Sequence, residues 1–320
     1  SNYLAYVTER SRFHHYYQLF LKLDCEALGI WNGQKQPYLT MVKAAELAGK
    51  RVLFFENGLL PNTTTVDYMG VNAFNSLTRN ADFYLNLEQL PVTQSTIKLV
   101  KRDPHKKRQV SDQKLDNLNF NYIFIPFQVP ADSQIVIHSS WVHSMEQLFH
   151  LVRDARNKLM LQGETKLPYL VFKEHPSWPG SFEHLYQLDE FCLFANENDT
   201  QYLIEHANAV ITINSTVGLE SLLLGKKVIT LGNACYNIEQ LVLHATNENE
   251  FFEAFASLPN WQYNEELRQK FINFIASVYC IPDDWQQMLS QTSEAHLDAI
   301  YHRIFETDRL AQFIQLEKDR

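Results

Sequence analysis

Ser215 and Thr216, preceded by Asn214 and followed by Gly218, stand where an apolar run gives way to a helical pattern (AVITINSTVGLESLLLGKKVITLG, residues 209–232). Hydroxyl side chains at a helix start cap free backbone N–H groups. They also sit at the positive end of the helix dipole, where a phosphate is favoured. An ordinary N-cap accounts for the same residues. Glu220 lies one turn further on, so its carboxylate could reach a sugar hydroxyl beside a phosphate, or simply face solvent. Glu56, in Glu56-Asn57-Gly58, ends a strand-like run at residues 51–55. A carboxylate held there has the placement of a general base for a hydroxyl. The alternative is a turn acid, with Asn57 and Gly58 only building a tight turn. Asp132, in Gln128-Val129-Pro130-Ala131-Asp132-Ser133-Gln134, is flanked by groups whose dipoles can keep it ionised. A positioned carboxylate of this kind can attack an anomeric carbon, and a hinge turn or an Asx cap would look the same. His175, in Lys173-Glu174-His175-Pro176, is stiffened by Pro176 and could donate to a phosphate or nucleobase, or be a loop histidine.

These segments need elements to hold them. Residues 4–8 read as a strand and 10–23 as an aromatic-rich helix. Residues 27–31 read as a strand ending in Asn32-Gly33. Residues 37–48 form a helix with Gly49 as its C-cap, and 51–55 a third strand. This alternation predicts a parallel sheet covered by helices, with ligands at the C-terminal ends of its strands. Residues 59–80 read as a long polar loop in which Asp67 and Asn72 are acceptor-contact candidates. Residues 119–126 read as a strand and 127–134 as a hinge. Then follow a helix at 141–161, strands at 170–173 and 191–195, a helix at 199–206, and the βαβ unit of 210–214, 215–224 and 227–231. Residues 284–320 are helical, with apolar Leu297, Ile300, Tyr301, Ile304 and Phe305 on one side. That helix packs back on the first domain or, in a sharper alternative, lies on a membrane surface.

Composition narrows the function classes. The 320-residue chain is 45% hydrophobic and 20% charged, room for two ordinary globular domains. A net charge of −9 leaves no basic surplus for a nucleic-acid backbone. One basic run, residues 98–107, is either a solvated face or a contact for an anionic acceptor or lipid headgroup. Cys25, Cys192, Cys235 and Cys280 are widely spaced, which fits a reducing compartment and no disulfide framework. His138, His143 and His150 lack a metal-binding pattern, and no metal is expected. No GxGxxG, GxxxxGK[ST] or GxSxG occurs. The first residues lack the apolar run of a signal peptide, and no later stretch is long enough to span a bilayer.

Taken together, Glu56-Asn57-Gly58, Gln128 to Ser133, Lys173 to Pro176 and Asn214 to Glu220 resemble the bacterial capsule polysaccharide synthesis family. Within it the chain is most similar to retaining β-Kdo transferases of capsule and O-antigen assembly that use CMP-β-Kdo. The resemblance spans about residues 27–235. The His-Pro and Ser-Thr pairs are also similar to motifs that contact CMP in CMP-sialic acid sialyltransferases. Their acidic-acidic-Gly motif appears here as Glu-Asn-Gly, leaving Glu56 as the only carboxylate of that motif.

The resemblance implies a GT-B fold: two Rossmann-like domains with parallel sheets and a cleft between them. The expected division is an acceptor domain at 1–130, a CMP-sugar domain at 131–282 and a helical segment at 283–320 returning to the first domain. Asp132 is the implied nucleophile and Glu56 the base. Lys173, His175, Pro176, Asn214, Ser215, Thr216, Gly218 and Glu220 are the implied donor site. Asn32, Gly33, Asn57, Gly58, Gln128 and Ser133 are candidates for sugar or acceptor contacts. The implied partners are a CMP-sugar and a saccharide or glycolipid acceptor, with no cofactor and no nucleic acid. The implied setting is cytoplasmic, with a peripheral contact at the inner membrane left open. An inverting sialyltransferase using Glu56 as base, and a non-catalytic nucleotide-sugar-binding assembly protein, are the competing expectations.

Overall fold

The computed structural model describes residues 2–88, 90, 99, 114–130, 132–285, 294–305 and 308–318. They form two compact units. Residues 2–78, Leu90 and the described residues from Asn273 onward make the first, and the remainder, up to Ile272, makes the second.

The first unit opens with α1 (Asn2–Lys22), β1 (Ala27–Trp31), α2 (Tyr38–Leu47), β2 (Arg51–Asn57) and β3 (Thr63–Asp67). Residues 4–8, expected as a strand, lie inside α1. The aromatic positions Phe13, Tyr16, Tyr17 and Phe20 recur at helical spacing and pack with Ile30, Val52 and Phe54. That face carries the helix back through the strand-like residues before it. The predicted sheet is also corrected. β1 and β2 are parallel, but β3 returns antiparallel to β2 through a hairpin. The predicted loop at 59–80 therefore contains a strand. Gly58 makes the hairpin: its N–H donates to the Thr63 carbonyl at 2.8 Å, and a Cβ there would fall 1.8 Å from Thr63 Oγ1.

The second unit runs α3 (Ala81–Leu85), β4 (Tyr122–Pro126), α4 (Ser133–His138), α5 (Met145–Leu161), β5 (Tyr169–Lys173) and β6 (Cys192–Phe194). It continues with α6 (Thr200–His206), β7 (Ala209–Thr212), α7 (Thr216–Leu223), β8 (Lys227–Thr230), β9 (Leu243–His244), α8 (Glu248–Ser257) and α9 (Glu265–Phe274), within which the units divide. Its six strands lie in the order β6-β5-β4-β7-β8-β9, all parallel. β4 is buried along its whole length, and its side chains divide by the period of two. Ile123 and Ile125 enter the core on one face, and Tyr122 and Phe124 the core on the other. A strand covered by helices on both faces needs this unbroken apolar run.

The expected domain boundary after residue 130 is corrected here. β4 is the first strand of the second sheet, so residues 127–130 and 132 link it to α4 inside that unit rather than forming a hinge. The helix expected from Trp141 starts at Met145, capped by Ser144, whose side chain accepts from Gln147 N.

After a π-helical turn at Ile275–Tyr279 the chain re-enters the first unit with β10 (Ile281–Pro282), α10 (Glu294–Phe305) and α11 (Arg309–Lys318). The unit's return therefore begins at 273, ten residues before the expected 283. β10 pairs antiparallel with β3, completing the order β1-β2-β3-β10. Ala299, Ile300 and Ile304 of α10 pack on Leu53, Val66 and Ile281. Of the predicted helical stretch 284–320, residues 286–293, 306–307 and 319–320 lie outside the described residues, as does the basic run 98–107 apart from Leu99. Among the described residues no helix is long and apolar enough to cross a membrane.

Candidate functional site

In the second sheet, counting strands in chain order gives 3-2-1-4-5-6, so the order reverses between β4 and β7. Helices must leave neighbouring strands in opposite directions there, which opens a crevice at the carboxyl ends where ligands bind in such folds. The loops and helix starts that follow β4 and β7 carry Gln128, Asp132, Ser133, Asn214, Ser215 and Thr216.

These residues are tied together. The buried amide of Gln128 donates from Nε2 to Asn214 Oδ1 at 3.1 Å, and its Oε1 accepts from Asn214 N at 3.3 Å. Asn214 Nδ2 donates to the Gln134 carbonyl at 2.6 Å. One asparagine side chain thereby fixes the first turn of α4, whose N-cap is Asp132. The Asp132 carboxylate accepts from Gln134 N and from Ser133 Oγ, both at 3.1 Å and both at Oδ1. The residue is half-buried. The Asx cap weighed above is thus present, and it holds an oriented carboxylate at the start of the helix that follows β4. His138, at the other end of α4, is buried. Burial pushes its imidazole below the usual range, an effect partly opposed by the Asp132 charge.

Ser215 caps α7, its Oγ accepting from Val217 N at 3.2 Å. Tyr236 donates its hydroxyl to the Ser215 carbonyl at 2.5 Å. Burial, then the Cys235 and Glu220 charges, push this phenol well above its ordinary value, so it stays a neutral donor. Gly218 leaves room for that tyrosine: a Cβ there would lie 2.2 Å from the Tyr236 hydroxyl oxygen. Its role in the structure is clearance, one the sequence left unseen because Tyr236 lies far along the chain.

β5 is the other neighbour of β4; it ends at Lys173, and the loop after it carries Glu174, His175 and Pro176. His175 Nδ1 accepts from Ser177 N at 3.2 Å, which in the neutral ring places the proton on Nε2 and makes that atom a donor. Lys173 Nζ donates to the carbonyls of Asn196 and Asn198, so it organises the β6–α6 loop. Glu174 is buried and accepts from Phe182 N at 2.8 Å and Tyr186 OH at 2.7 Å.

A second group sits at the carboxyl ends of β1 and β2 in the first unit. Asn32 adopts a left-handed backbone, φ 60°, and Gly33 follows at φ 73°. That turn sends Asn32 Nδ2 to Glu56 Oε2 at 2.9 Å, while Glu56 Oε1 accepts from Asn57 N at 3.0 Å. Both carboxylate oxygens are thereby held at a strand edge. Beside them Trp285 donates its indole N–H to Asn57 Oδ1 at 2.8 Å, and its ring lies 4.9 Å from that of Trp31. Neither tryptophan was singled out from the sequence. Trp31 could have been, as a large aromatic ending a strand just before Asn32-Gly33. Trp285 gave no local signal.

Asp67 is not an exposed acceptor contact. It is buried and accepts from Met69 N, Gly70 N, Ser76 N and Oγ, and Tyr279 OH. Asn72 opens a short 3-10 turn, Asn72–Phe74, with φ 57°. Among the described residues no group of three or more His, Cys, Asp or Glu could hold a metal ion.

Comparison with known proteins places this architecture. The family described as "Capsule polysaccharide biosynthesis protein" matches residues 89–254, a little over half the chain. Protein FixF of Sinorhizobium fredii is 34% identical over 269 residues, covering 84% of this chain and 63% of that one. This chain therefore spans less than two thirds of FixF. The capsule polysaccharide export protein KpsS of Escherichia coli is 30% identical over 271 residues, covering 66% of this chain and 67% of that one. Among solved structures, Thermosulfurimonas dismutans KpsC, a beta Kdo 2,7 transferase, aligns with a TM-score of 0.51 and 17% identity over 83% of this chain and 80% of that one. That likeness is one of fold, α/β of the GT-B-like class. The chain belongs to the capsule polysaccharide biosynthesis family.

Proposed function

We propose that this chain is a glycosyltransferase that moves Kdo from CMP-β-Kdo to a saccharide or glycolipid acceptor with retention of configuration. The observation that carries the reading is that Asp132 and Ser215 cap the helices that follow β4 and β7, the two strands where the order reverses. An oriented carboxylate and a phosphate-favouring helix terminus thus follow the carboxyl ends of two neighbouring strands, which suits a glycosyl phosphate.

In the first step an Asp132 oxygen attacks the anomeric carbon, the bond from that carbon to the phosphate oxygen breaks, and CMP leaves with the electron pair. The departing phosphate gains charge, which His175 Nε2–H and the start of α7 stabilise. Lys173, Pro176, Asn214, Thr216, Gly218 and Glu220 shape that donor site. In the second step the acceptor hydroxyl gives its proton to Glu56 and attacks the same carbon, releasing Asp132 as a carboxylate. Two inversions amount to retention. A single leaving phosphate carries less charge than a diphosphate, so no metal enters the proposal. With a glycolipid acceptor, the reaction belongs at the cytoplasmic face of the inner membrane.

Asp132→Asn should lower transfer on the order of 10³-fold or more while leaving CMP affinity near wild type, since a nucleophile acts in the bond-making steps. Near wild-type transfer by this variant would remove Asp132 from the mechanism. Incubation with CMP-Kdo should add one Kdo mass to the protein. An inverted product by NMR with no adduct would favour a sialyltransferase-like reaction with Glu56 as sole base. CMP binding without hydrolysis or transfer would favour a non-catalytic assembly protein.

A further inference from the structure

The first unit presents an aromatic corner that the proposed chemistry leaves unused. Trp31 ends β1 and stays 41% exposed, although it follows the buried Ile30. It pairs in register with Phe55, so both project from one face of the sheet, while Glu56 begins on the other. Trp285 meets Trp31 with ring planes 60° apart and centroids 4.9 Å apart. At that angle the rings cannot cover each other's faces, and they form a corner. The corner is pinned, because the Trp285 indole N–H donates to Asn57 Oδ1 at 2.8 Å. With Oδ1 turned to the indole, the Asn57 amide directs its NH₂ away from it. One residue back, Glu56 is clamped between Asn32 Nδ2 and Asn57 N. The aromatic corner and the carboxamide therefore leave one face of the sheet, and the Glu56 carboxylate, bonded to Asn57 N, leaves the other at the same strand ends.

We propose that Trp31 and Trp285 form the acceptor subsite, stacking against the pyranose ring whose hydroxyl is presented to Glu56. This rests on the transferase reading given above. A sugar ring offers an apolar C–H face to an aromatic surface and a rim of hydroxyls to amide and carboxylate groups. The neighbouring Glu56 charge disfavours a phosphate at the same spot, which separates this subsite from a nucleotide site. The fixed corner also costs little ordering on binding, because Asn57 already holds Trp285.

The test uses the full chain, ¹⁵N-labelled at its indoles, titrated with a Kdo-containing oligosaccharide and separately with CMP. The oligosaccharide should shift the indole signals that Trp31→Phe and Trp285→Phe assign, and CMP should not. Trp31→Ala should weaken oligosaccharide binding about tenfold or more and leave CMP affinity unchanged, while Trp31→Phe retains most of the binding. In turnover, Trp31→Ala should raise the acceptor KM with little change in kcat, and CMP release from CMP-Kdo without acceptor should be unaffected. Oligosaccharide binding that leaves both indoles unshifted, absence of oligosaccharide binding, or wild-type affinity in Trp31→Ala would each overturn the subsite. Indole shifts with the oligosaccharide in a protein that neither binds nor cleaves CMP-Kdo would sustain the saccharide site and sink the transferase reading.

Discussion

Tyr236 and Gly218 are a matched pair: the phenol occupies the volume that any side chain at 218 would need, and its hydroxyl closes on the carbonyl of the α7 cap. Gly218→Ala must push the ring or the helix start aside, and overpacking of this kind costs roughly 1–3 kcal/mol. In a Tyr236→Phe background the same substitution should cost less, because the clashing oxygen is gone. A double-mutant cycle read by denaturant unfolding measures the difference, and strictly additive effects would contradict the pairing. His138 makes a separate point. Its imidazole is held below the usual range by burial, so the folded state resists the proton that the unfolded chain accepts. That term favours folding above the ordinary histidine pKa of about 6.5 and is lost as pH falls below it. The stability advantage of wild type over His138→Gln should accordingly narrow between about pH 7 and pH 5 in thermal melts, since only wild type carries the acid penalty. A gap that widens on acidification would reverse the sign argued here.

α10 shows how an element far along the chain is locked to the first sheet. Arg303 is buried and donates from Nη1 to the Val66 carbonyl at 2.8 Å and the Tyr279 carbonyl at 3.2 Å, and from Nη2 to the Val278 carbonyl at 2.8 Å. Its Nε pairs with Asp308. Tyr68 adds a bond from its hydroxyl to the Arg303 carbonyl at 2.8 Å. One planar guanidinium thus fastens α10 to β3 and to the π-helical turn, with its charge matched on the start of α11. Arg303→Met should cost about 3–5 kcal/mol, since it strands the Asp308 carboxylate and several carbonyls in a dry setting. The loss should appear as a lower unfolding midpoint, with early proteolytic nicking near α10. An unchanged midpoint would show that the apolar contacts of Ile300 and Ile304 suffice.

In the molecule as a whole, the candidate donor residues gather in the second unit and the Glu56 group in the first. CMP should therefore protect the loops after β4, β5 and β7 in hydrogen exchange while leaving the ends of β1 and β2 unchanged. At CMP near 100 times its Kd, stabilisation should approach 2.7 kcal/mol if the nucleotide binds only the folded state, roughly a further check on the same site. Protection confined to the first unit would overturn the assignment of the donor site.

Local pattern was enough for β1, β2, β5, β7 and β8, for α2 and α7, and for the Ser215 cap, because each is set by neighbours a few residues away. It failed where distant contacts decided. The aromatic stripe of α1 overrode the strand-like residues 4–8 by packing on the first sheet, and Gly58 joined two strands into a hairpin across what read as a loop. Residues 127–134 read as a hinge because strand order is invisible in sequence. Only the pairing of β4 with both β5 and β7 places the described ones inside the second unit. The same pairing brings Asn214 to Gln128 and Gln134, and so sets the Asp132 carboxylate. The amino-acid sequence alone determined which side chains were available for chemistry and which local elements carry them. Tertiary structure decided which of those elements are neighbours, because backbone pairing and apolar burial between segments far apart in the chain leave no short-range mark.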